Sequence, residues 1–281
     1  MSIMKNILLV KISSNLKGLV QIRHVTHKFC CFVLFLLIAN DGVTAQTKDN
    51  SLVETIKKVK PAIIAVGTYH VLSKPSVKFF GTGFVYSKEG YAITASHVIN
   101  AIYKKDDIDN LYVFFPETEN SKKNRAKVVT DNQKYDFSII KLEGSGYSYV
   151  SLGDSSKVEE GQSIALCGYP YGPVFGLHPT TNTGIISNIS PIALPVQNMS
   201  LLSNRMIKAL RDPYTIFQLD CTAYPGNSGG PLFLPENGKV IGMLNSAFIK
   251  VTKENKQIST GISYAIPINY IKKLIESIND K

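Results

Sequence analysis

Short apolar runs alternate with turn residues along most of the chain after residue 62. Polar turns that contain glycine stand between the runs, for example at residues 88–90 (KEG) and 236–238 (ENG). Many short strands at close spacing are typical of antiparallel barrels or sandwiches. The runs that predict strands are residues 63–68, 83–86, 92–94, 112–115, 137–142, 163–167, 184–187, 217–219, 232–234, 239–244 and 262–266.

Apolar positions at helical spacing flank this strand-rich stretch. Ser51 and Glu54 form a capping-box pattern that predicts a helix start at Ser51, and Pro61 predicts its end. Near the carboxyl end, Ile271, Leu274, Ile275 and Ile278 predict one further helix. We therefore predict an all-β fold with a short amino-terminal helix and a carboxyl-terminal helix.

The first 45 residues have the features of a signal peptide. A basic stretch without acids leads into the apolar run 29–39, which is short for a membrane span, and small residues then precede Gln46. We predict cleavage after Ala45, export to the periplasm or outside the cell, and no stable membrane span after signal removal. A mitochondrial presequence and an uncleaved anchor are the competing interpretations.

Charge and composition narrow the functional class. The formal net charge is +10, but residues 1–45 contribute five basic and one acidic residue, which leaves 31−5 = 26 basic and 21−1 = 20 acidic residues. The remaining excess of +6 is spread along the chain and indicates a solvated surface, so no nucleic-acid partner is expected. A hydrophobic fraction of 44% is ample for a packed core.

Two cysteines, Cys167 and Cys221, remain after signal removal. They could form a disulfide in an oxidising compartment, or they could be two small buried thiols, and the sequence leaves both alternatives open. Residues 46–281 contain no Cys/His cluster at ligand spacing, so we expect neither a metal nor an organic cofactor.

The string 226–231 (GNSGGP) is the strongest chemical signal in the chain. A serine hydroxyl needs a neighbouring base to act as a nucleophile, and it needs backbone N–H groups aimed at the developing oxyanion. Glycine before Ser228 permits the tight turn that presents such groups. We therefore predict Ser228 as nucleophile.

His97 and Asp136 are the predicted partners of this serine. His97 follows an apolar strand, and the other histidines of the mature chain, His70 and His178, have no comparable context. Asp136 stands directly before the strand 137–142, which would fix its side chain to orient an imidazole. Asp131 is the competing carboxylate.

The order His, Asp, Ser matches the arrangement of chymotrypsin. The chain resembles a trypsin-like serine protease of the HtrA/Deg family, without a following PDZ domain. The stretches that carry the resemblance are residues 81–85 (GTGFV), 90–99 (GYAITASHVI), 136–142 (DFSIIKL), 168–172 (GYPYG), 183–187 (TGIIS), 226–231 (GNSGGP) and 261–267 (GISYAIP).

The resemblance implies two six-stranded antiparallel β-barrels with the site between them. The expected domains are residues 46–155, with His97 and Asp136, and residues 156–281, with Ser228 and the terminal helix. It also implies an oxyanion hole from the amides of Gly226 and Ser228, and a substrate strand that pairs near Asn245, Ser246 and Ala247. Thr222, six positions before Ser228, is expected at the base of the pocket for the residue before the cleaved bond.

Two functional hypotheses follow from these residues. The first is an exported serine endopeptidase that hydrolyses polypeptides through an acyl-enzyme intermediate, with a role in protein quality control. The alternative is a catalytically latent protein of protease fold that binds polypeptides or acts like a chaperone. The family's frequent trimers leave a homo-oligomer open, and the long segment 188–214 is interpreted as a lid, a partner-binding loop or a surface insertion.

Overall fold

The computed structural model describes residues 47–105, 110–116, 123–172, 178–191, 212–251 and 257–279. For residues 47–50, 246–251, 257–260 and 279 only the backbone is described. Within these ranges, none of the helices is both long enough and apolar enough to cross a bilayer.

Six antiparallel strands close into a first barrel. They are β1 (Ile63–Tyr69), β2 (Val77–Val85), β3 (Tyr91–Ala95), β4 (Leu111–Phe114), β5 (Lys123–Asn132) and β6 (Phe137–Leu142). Their spatial order is β1-β2-β3-β6-β5-β4, and β1 pairs with β4 to complete the ring. The strands β1, β3 and β6 are almost fully buried, which explains their continuous apolar sequences.

A second barrel follows from six further strands. They are β7 (Ser163–Gly168), β8 (Thr180–Pro191), β9 (Thr215–Asp220), β10 (Pro231–Phe233), β11 (Val240–Val251) and β12 (Gln257–Pro267). Their order is β10-β11-β12-β9-β8-β7. The predicted all-β class with two antiparallel six-stranded barrels is therefore confirmed.

Within the described residues, three helices lie outside the barrels. They are α1 (Thr47–Val59), α2 (Ser96–Tyr103) and α3 (Ile268–Asn279), with short 3₁₀ turns at Lys60–Ala62 and Ser155–Lys157. The helix α3 follows the second barrel but packs its apolar face on the core of the first, where Ile268 and Ile271 are buried. Buried residues of β7 and β10 join the same core, so the two barrels share one apolar contact region.

Three details of the sequence-based prediction are corrected. The helix α1 begins at Thr47, so Ser51 lies one turn inside it and is not the first residue of the helix. Glu54 forms an ion pair with Lys57 (2.8 Å) instead of completing a capping box at the helix start. The strand β5 was missed because, among its residues, only Ala126 is buried and the rest present polar or partly exposed side chains. Several strands are also longer than their apolar runs.

Cys167 and Cys221 are free thiols, both buried, so the disulfide alternative is wrong. Burial raises the pKa of the Cys167 thiol, and burial together with the nearby Asp220 raises the pKa of the Cys221 thiol to about 11. Of the long segment 188–214, residues 188–191 extend β8 and residue 191 pairs with Thr215 at the start of β9. Residues 192–211, on which the interpretation as a lid or partner-binding loop falls, lie outside the described residues.

Asp154 links the turn Ser155–Lys157 to the start of α3 through hydrogen bonds. Its Oδ1 accepts hydrogen bonds from Asn269 Nδ2 (2.9 Å) and from the hydroxyl of Ser156 (2.7 Å). Asn269 in turn accepts from the amide of Ser155 (3.1 Å). These bonds, first of all that from Asn269, hold the pKa of the Asp154 carboxyl well below its ordinary value.

We expect Asp154→Ala to lower the free energy of unfolding at neutral pH. Because the folded pKa of Asp154 is depressed, its contribution is fully present above the unfolded pKa, about 3.9, and is lost as the pH falls through the folded value. Urea unfolding should be measured between pH 7 and pH 2.5. The difference in the free energy of unfolding between wild type and variant should become smaller as the pH falls. Glu236→Ala, in the exposed turn before β11, is the control. A difference that stays constant with pH would contradict the role given to the carboxylate.

Candidate active site

The pairing of β3 with β6 brings His97 and Asp136 together. Ala95, the last residue of β3, pairs with Phe137, the first residue of β6. His97 follows Ala95 by two positions in the first turn of α2, and Asp136 immediately precedes Phe137. The two predicted side chains, 39 positions apart in sequence, therefore meet at one strand end.

Asp136 holds His97 at two points. Its Oδ2 lies 2.7 Å from His97 Nδ1, and its Oδ1 accepts the backbone N–H of His97 at 3.0 Å. The backbone carbonyl of Asp136 also accepts the amide of Ser96 at 3.0 Å. Asp136 adopts the left-handed conformation (φ 57°), and its side chain is 2% exposed, whereas the His97 side chain is 41% exposed. The imidazole is therefore fixed at Nδ1 and remains partly exposed to solvent.

The competing carboxylate Asp131 does not bind His97. It lies on β5, and its Oδ1 accepts the hydroxyl of Ser138 at 2.5 Å. The structure thus places Asp136, and not Asp131, beside the imidazole.

Ser228 lies in the loop that connects β9 to β10 and is held from both barrels. Its carbonyl oxygen accepts the amide of Thr82 on β2 at 2.9 Å, and the amide of Gly229 donates to Leu244 on β11 at 2.8 Å. Gly226 and Gly229 both have positive φ, 99° and 87°. The predicted tight turn at the glycine before Ser228 is therefore present, and Gly229 after it adopts a positive φ as well.

The side chain and backbone of Asn245 connect Ser228 with Asp136. The hydroxyl of Ser228 donates to the carbonyl oxygen of Asn245 at 3.3 Å, and Asn245 Nδ2 donates to Asp136 Oδ2 at 2.5 Å. Within the described ranges, no hydrogen bond joins the Ser228 hydroxyl to His97. The sequence pointed to Asn245 only as a substrate-pairing residue, and its bond to Asp136 was missed because the two are 109 positions apart.

Two backbone amides in the loop of Ser228 make no hydrogen bond within the part of the chain that the structure describes. Among the described residues, neither the Gly226 amide nor the Ser228 amide donates to a protein group. The carbonyl of Pro225 accepts the amide of Tyr171 at 2.7 Å. Because the two ends of a trans peptide point in opposite directions, this bond turns the Gly226 N–H away from Tyr171.

The other predicted substrate-binding positions lie on the second barrel. Thr222 is partly buried, and its carbonyl accepts Asn182 Nδ2 at 2.7 Å. Ser246 and Ala247 continue β11 and pair with Tyr264 and Ser263 of β12, while their side chains lie outside the described residues. Their contact with substrate stays a prediction.

An apolar cavity of about 200 Å³ next to Gly226 was not predicted. No local pattern in the sequence indicates this cavity, because its walls come from β1, from β2 and from two loops of the second barrel. The lining residues are Ala65, Phe79, Phe80, Gly81, Tyr169, Tyr171, Gly172, Pro225 and Gly226.

Comparison with known proteins gives consistent matches. Residues 81–243 match the family model of the trypsin-like peptidase domain. The chain is 31% identical over 201 residues to a probable periplasmic serine endoprotease, DegP-like, of Halomonas elongata, covering 71% of this chain and 35% of that protein. It is 30% identical over 213 residues to a serine protease, HtrA-like, of Staphylococcus aureus, covering 74% of this chain and 24% of that protein. The chain thus spans about a third or less of these relatives.

Solved structures share the fold. The HtrA-type protease AlgW with a decapeptide superposes with a TM-score of 0.59 at 21% identity, over 82% of this chain and 67% of that one. Deg5 superposes with a TM-score of 0.57 at 23% identity, over 80% of this chain and 92% of that one.

Proposed function

Because this chain belongs to the HtrA/Deg family of trypsin-like peptidases, we propose that it is a serine endopeptidase with His97, Asp136 and Ser228 as its catalytic triad. One observation carries the proposal: Asp136 holds His97 at two points, and Asn245 links the same carboxylate to Ser228, whose amide, like that of Gly226, donates to no acceptor among the described residues. A triad is defined by geometry and roles, and the bond between Asp136 and His97 supports this assignment.

The hydrogen bond at Nδ1 decides the role of the imidazole. Asp136 Oδ2 accepts the Nδ1 proton, which leaves the lone pair on Nε2 for a proton from Ser228. For attack, the Ser228 hydroxyl exchanges its present acceptor, the Asn245 carbonyl, for His97 Nε2. The Ser228 oxygen then bonds to the substrate carbonyl carbon, and His97 returns the proton to the leaving amine.

The amides of Gly226 and Ser228 form the proposed oxyanion hole. Donors fixed before the reaction stabilise the negative oxygen of the tetrahedral intermediate without reorganisation. Water then hydrolyses the acyl-enzyme with His97 as general base. These steps need neither a metal nor an organic cofactor.

The proposed substrates are extended polypeptides. The segment Asn245 to Ala247 would pair with the substrate backbone, which is the usual mode of recognition at an open strand edge. The relatives named as periplasmic and the signal-like residues 1–45 support export to the periplasm or outside the cell. We further propose that the protein takes part in protein quality control and assembles into a homo-oligomer.

We expect no strong preference for Arg or Lys before the cleaved bond. Thr222 at the proposed pocket base has no charge, so small or medium apolar side chains should be favoured. Mass spectrometry of products from a mixed peptide library measures this preference. Thr222→Asp is the matched variant and should introduce cleavage after basic residues. Dominant cleavage after Arg or Lys by the wild type would contradict the assignment of Thr222.

Cleavage of fluorescence-quenched casein tests the proposed function. Wild-type protein should release fluorescence, and Ser228→Ala should abolish it. Ser187→Ala, an exposed serine of β8, should leave the rate unchanged. Folded wild-type protein that binds casein without cleaving it would overturn the proposal in favour of a latent binding protein.

A further inference from the structure

Thr82 of β2 is buried between the two barrels and makes hydrogen bonds through its amide, its hydroxyl and its carbonyl. Its relative exposure is 0%. A buried polar group of this kind is costly unless it is satisfied, and Thr82 is satisfied mainly by groups of the proposed active site.

Two of these bonds reach the residues of the proposed oxyanion hole. The amide of Thr82 donates to the carbonyl oxygen of Ser228 at 2.9 Å. The hydroxyl of Thr82 donates to the carbonyl oxygen of Gly226 at 2.6 Å. The bond from Tyr171 to Pro225 fixes the peptide unit on the other side of Gly226. Gly226 and Ser228 are therefore both held through their carbonyl groups by one residue of the first barrel, Thr82.

A third bond reaches β3, the strand that precedes His97. The hydroxyl of Thr94, on β3, donates to the carbonyl oxygen of Thr82 at 2.7 Å. Thr94 precedes His97 by three positions on a rigid, buried strand. The strand that precedes His97 and the loop of Ser228 are thus both hydrogen-bonded to the backbone of Thr82.

The hydroxyl of Thr82 also accepts the amide of Tyr169 at 3.0 Å. Tyr169 precedes the loop whose Tyr171 amide holds Pro225. Removing the hydroxyl would therefore leave a partly buried carbonyl oxygen at Gly226 and a buried N–H at Tyr169 without this partner. The γ-methyl group of Thr82 lies close to Gly230: a Cβ atom added to Gly230 would be 3.4 Å from this methyl group.

We propose that Thr82 is a positioning residue that sets the oxyanion hole of Gly226 and Ser228 in register with His97. This inference rests on the proposed serine protease function. Thr82 does not touch the reacting atoms; it acts through the carbonyl groups of Gly226 and Ser228.

The role predicts a loss in kcat and not in substrate affinity. Thr82→Val keeps the shape of the side chain but removes the hydroxyl, so Gly226 loses one of its two fixed points. We expect kcat to fall by about tenfold to a hundredfold, less than the roughly 10²–10³ that losing an oxyanion donor costs, because the Gly226 amide is displaced and not removed, while KM changes by less than about twofold. Thr82→Ser keeps the hydroxyl and should retain kcat to within about threefold.

A matched control is available in the same barrel. Thr68 on β1 is equally buried, but within the described residues its hydroxyl has no hydrogen-bond partner. Thr68→Val makes the same chemical change without touching the loop of Ser228, and we expect unchanged kcat and KM. Thermal unfolding of each variant establishes that it is folded, and Thr82→Ala, which removes the hydroxyl without keeping the bulk, provides a second test if the valine variant does not fold.

The outcomes separate the inference from the function on which it rests. An active wild type with kcat reduced in Thr82→Val and restored in Thr82→Ser supports the role. An active wild type with unchanged kcat in folded Thr82→Val or Thr82→Ala, or with only KM affected, overturns the role and leaves the proposed function standing. A folded wild type without any cleavage of casein overturns the function, and the inference with it.

Discussion

Replacement of Asp136 by Asn should lower kcat by about 10⁴ while the protein stays folded. The reason lies in the three donors that face this carboxylate: the backbone N–H of His97 at Oδ1, and His97 Nδ1 together with Asn245 Nδ2 at Oδ2. An amide has only one oxygen. Because the backbone N–H of His97 can only donate, the amide oxygen must stay at the Oδ1 position.

The amide nitrogen of Asn at position 136 would then face His97 Nδ1. The imidazole would have to accept at Nδ1, which moves its proton to Nε2 and removes the lone pair that Ser228 needs. Steady-state hydrolysis of a peptide substrate measures the effect. Asp131→Asn, on the neighbouring strand β5 and bonded to Ser138 instead of His97, is the control and should keep nearly full activity. Equal rates for Asp136→Asn and wild type would contradict the assigned role.

Replacement of Gly226 by Ala should lower kcat by about 10²–10³, the cost of losing one oxyanion donor. Gly226 has φ 99°, which an L residue rarely adopts, and an added Cβ would lie 2.4 Å from the carbonyl oxygen of Tyr169. Both effects force the backbone at Gly226 to shift, so its amide no longer points where the oxyanion develops.

Gly146→Ala provides the matched control for this prediction. Gly146 also has a positive φ (82°), but nothing lies within 4 Å of an added Cβ. Gly146→Ala should lower the thermal stability because of the same strained φ, while kcat stays unchanged. If Gly226→Ala retained full kcat, the amide of Gly226 would not be an oxyanion donor.

Local sequence patterns were sufficient to predict the strands that form the barrel interiors. The buried strands β1, β3 and β6 are continuous apolar runs, and burial on both faces produces that pattern. The strand β5 was missed because its exposed, charged residues give no apolar run, and it is held in place by pairing with β4 and β6. A local sequence pattern does not indicate which distant strand a segment pairs with.

The same limit applies to the candidate site. His97, Asp136 and Ser228 each follow or precede an apolar strand with a recognisable local string, so they could be predicted one by one. The contacts of Thr82 with Gly226 and of Asn245 with Asp136 join residues 144 and 109 positions apart. Such contacts arise only when the two barrels meet, and no spacing in the sequence encodes them.

Labelling of the purified protein with a fluorophosphonate, followed by mass spectrometry of the modified peptide, tests the central claim most directly. The reagent forms a covalent bond with a serine only where a base activates the hydroxyl and amides stabilise the phosphonyl oxygen. We predict a stoichiometric adduct on Ser228 in the wild type and none in His97→Ala. Folded wild-type protein without an adduct on Ser228 would contradict the assignment of a working triad and oxyanion hole.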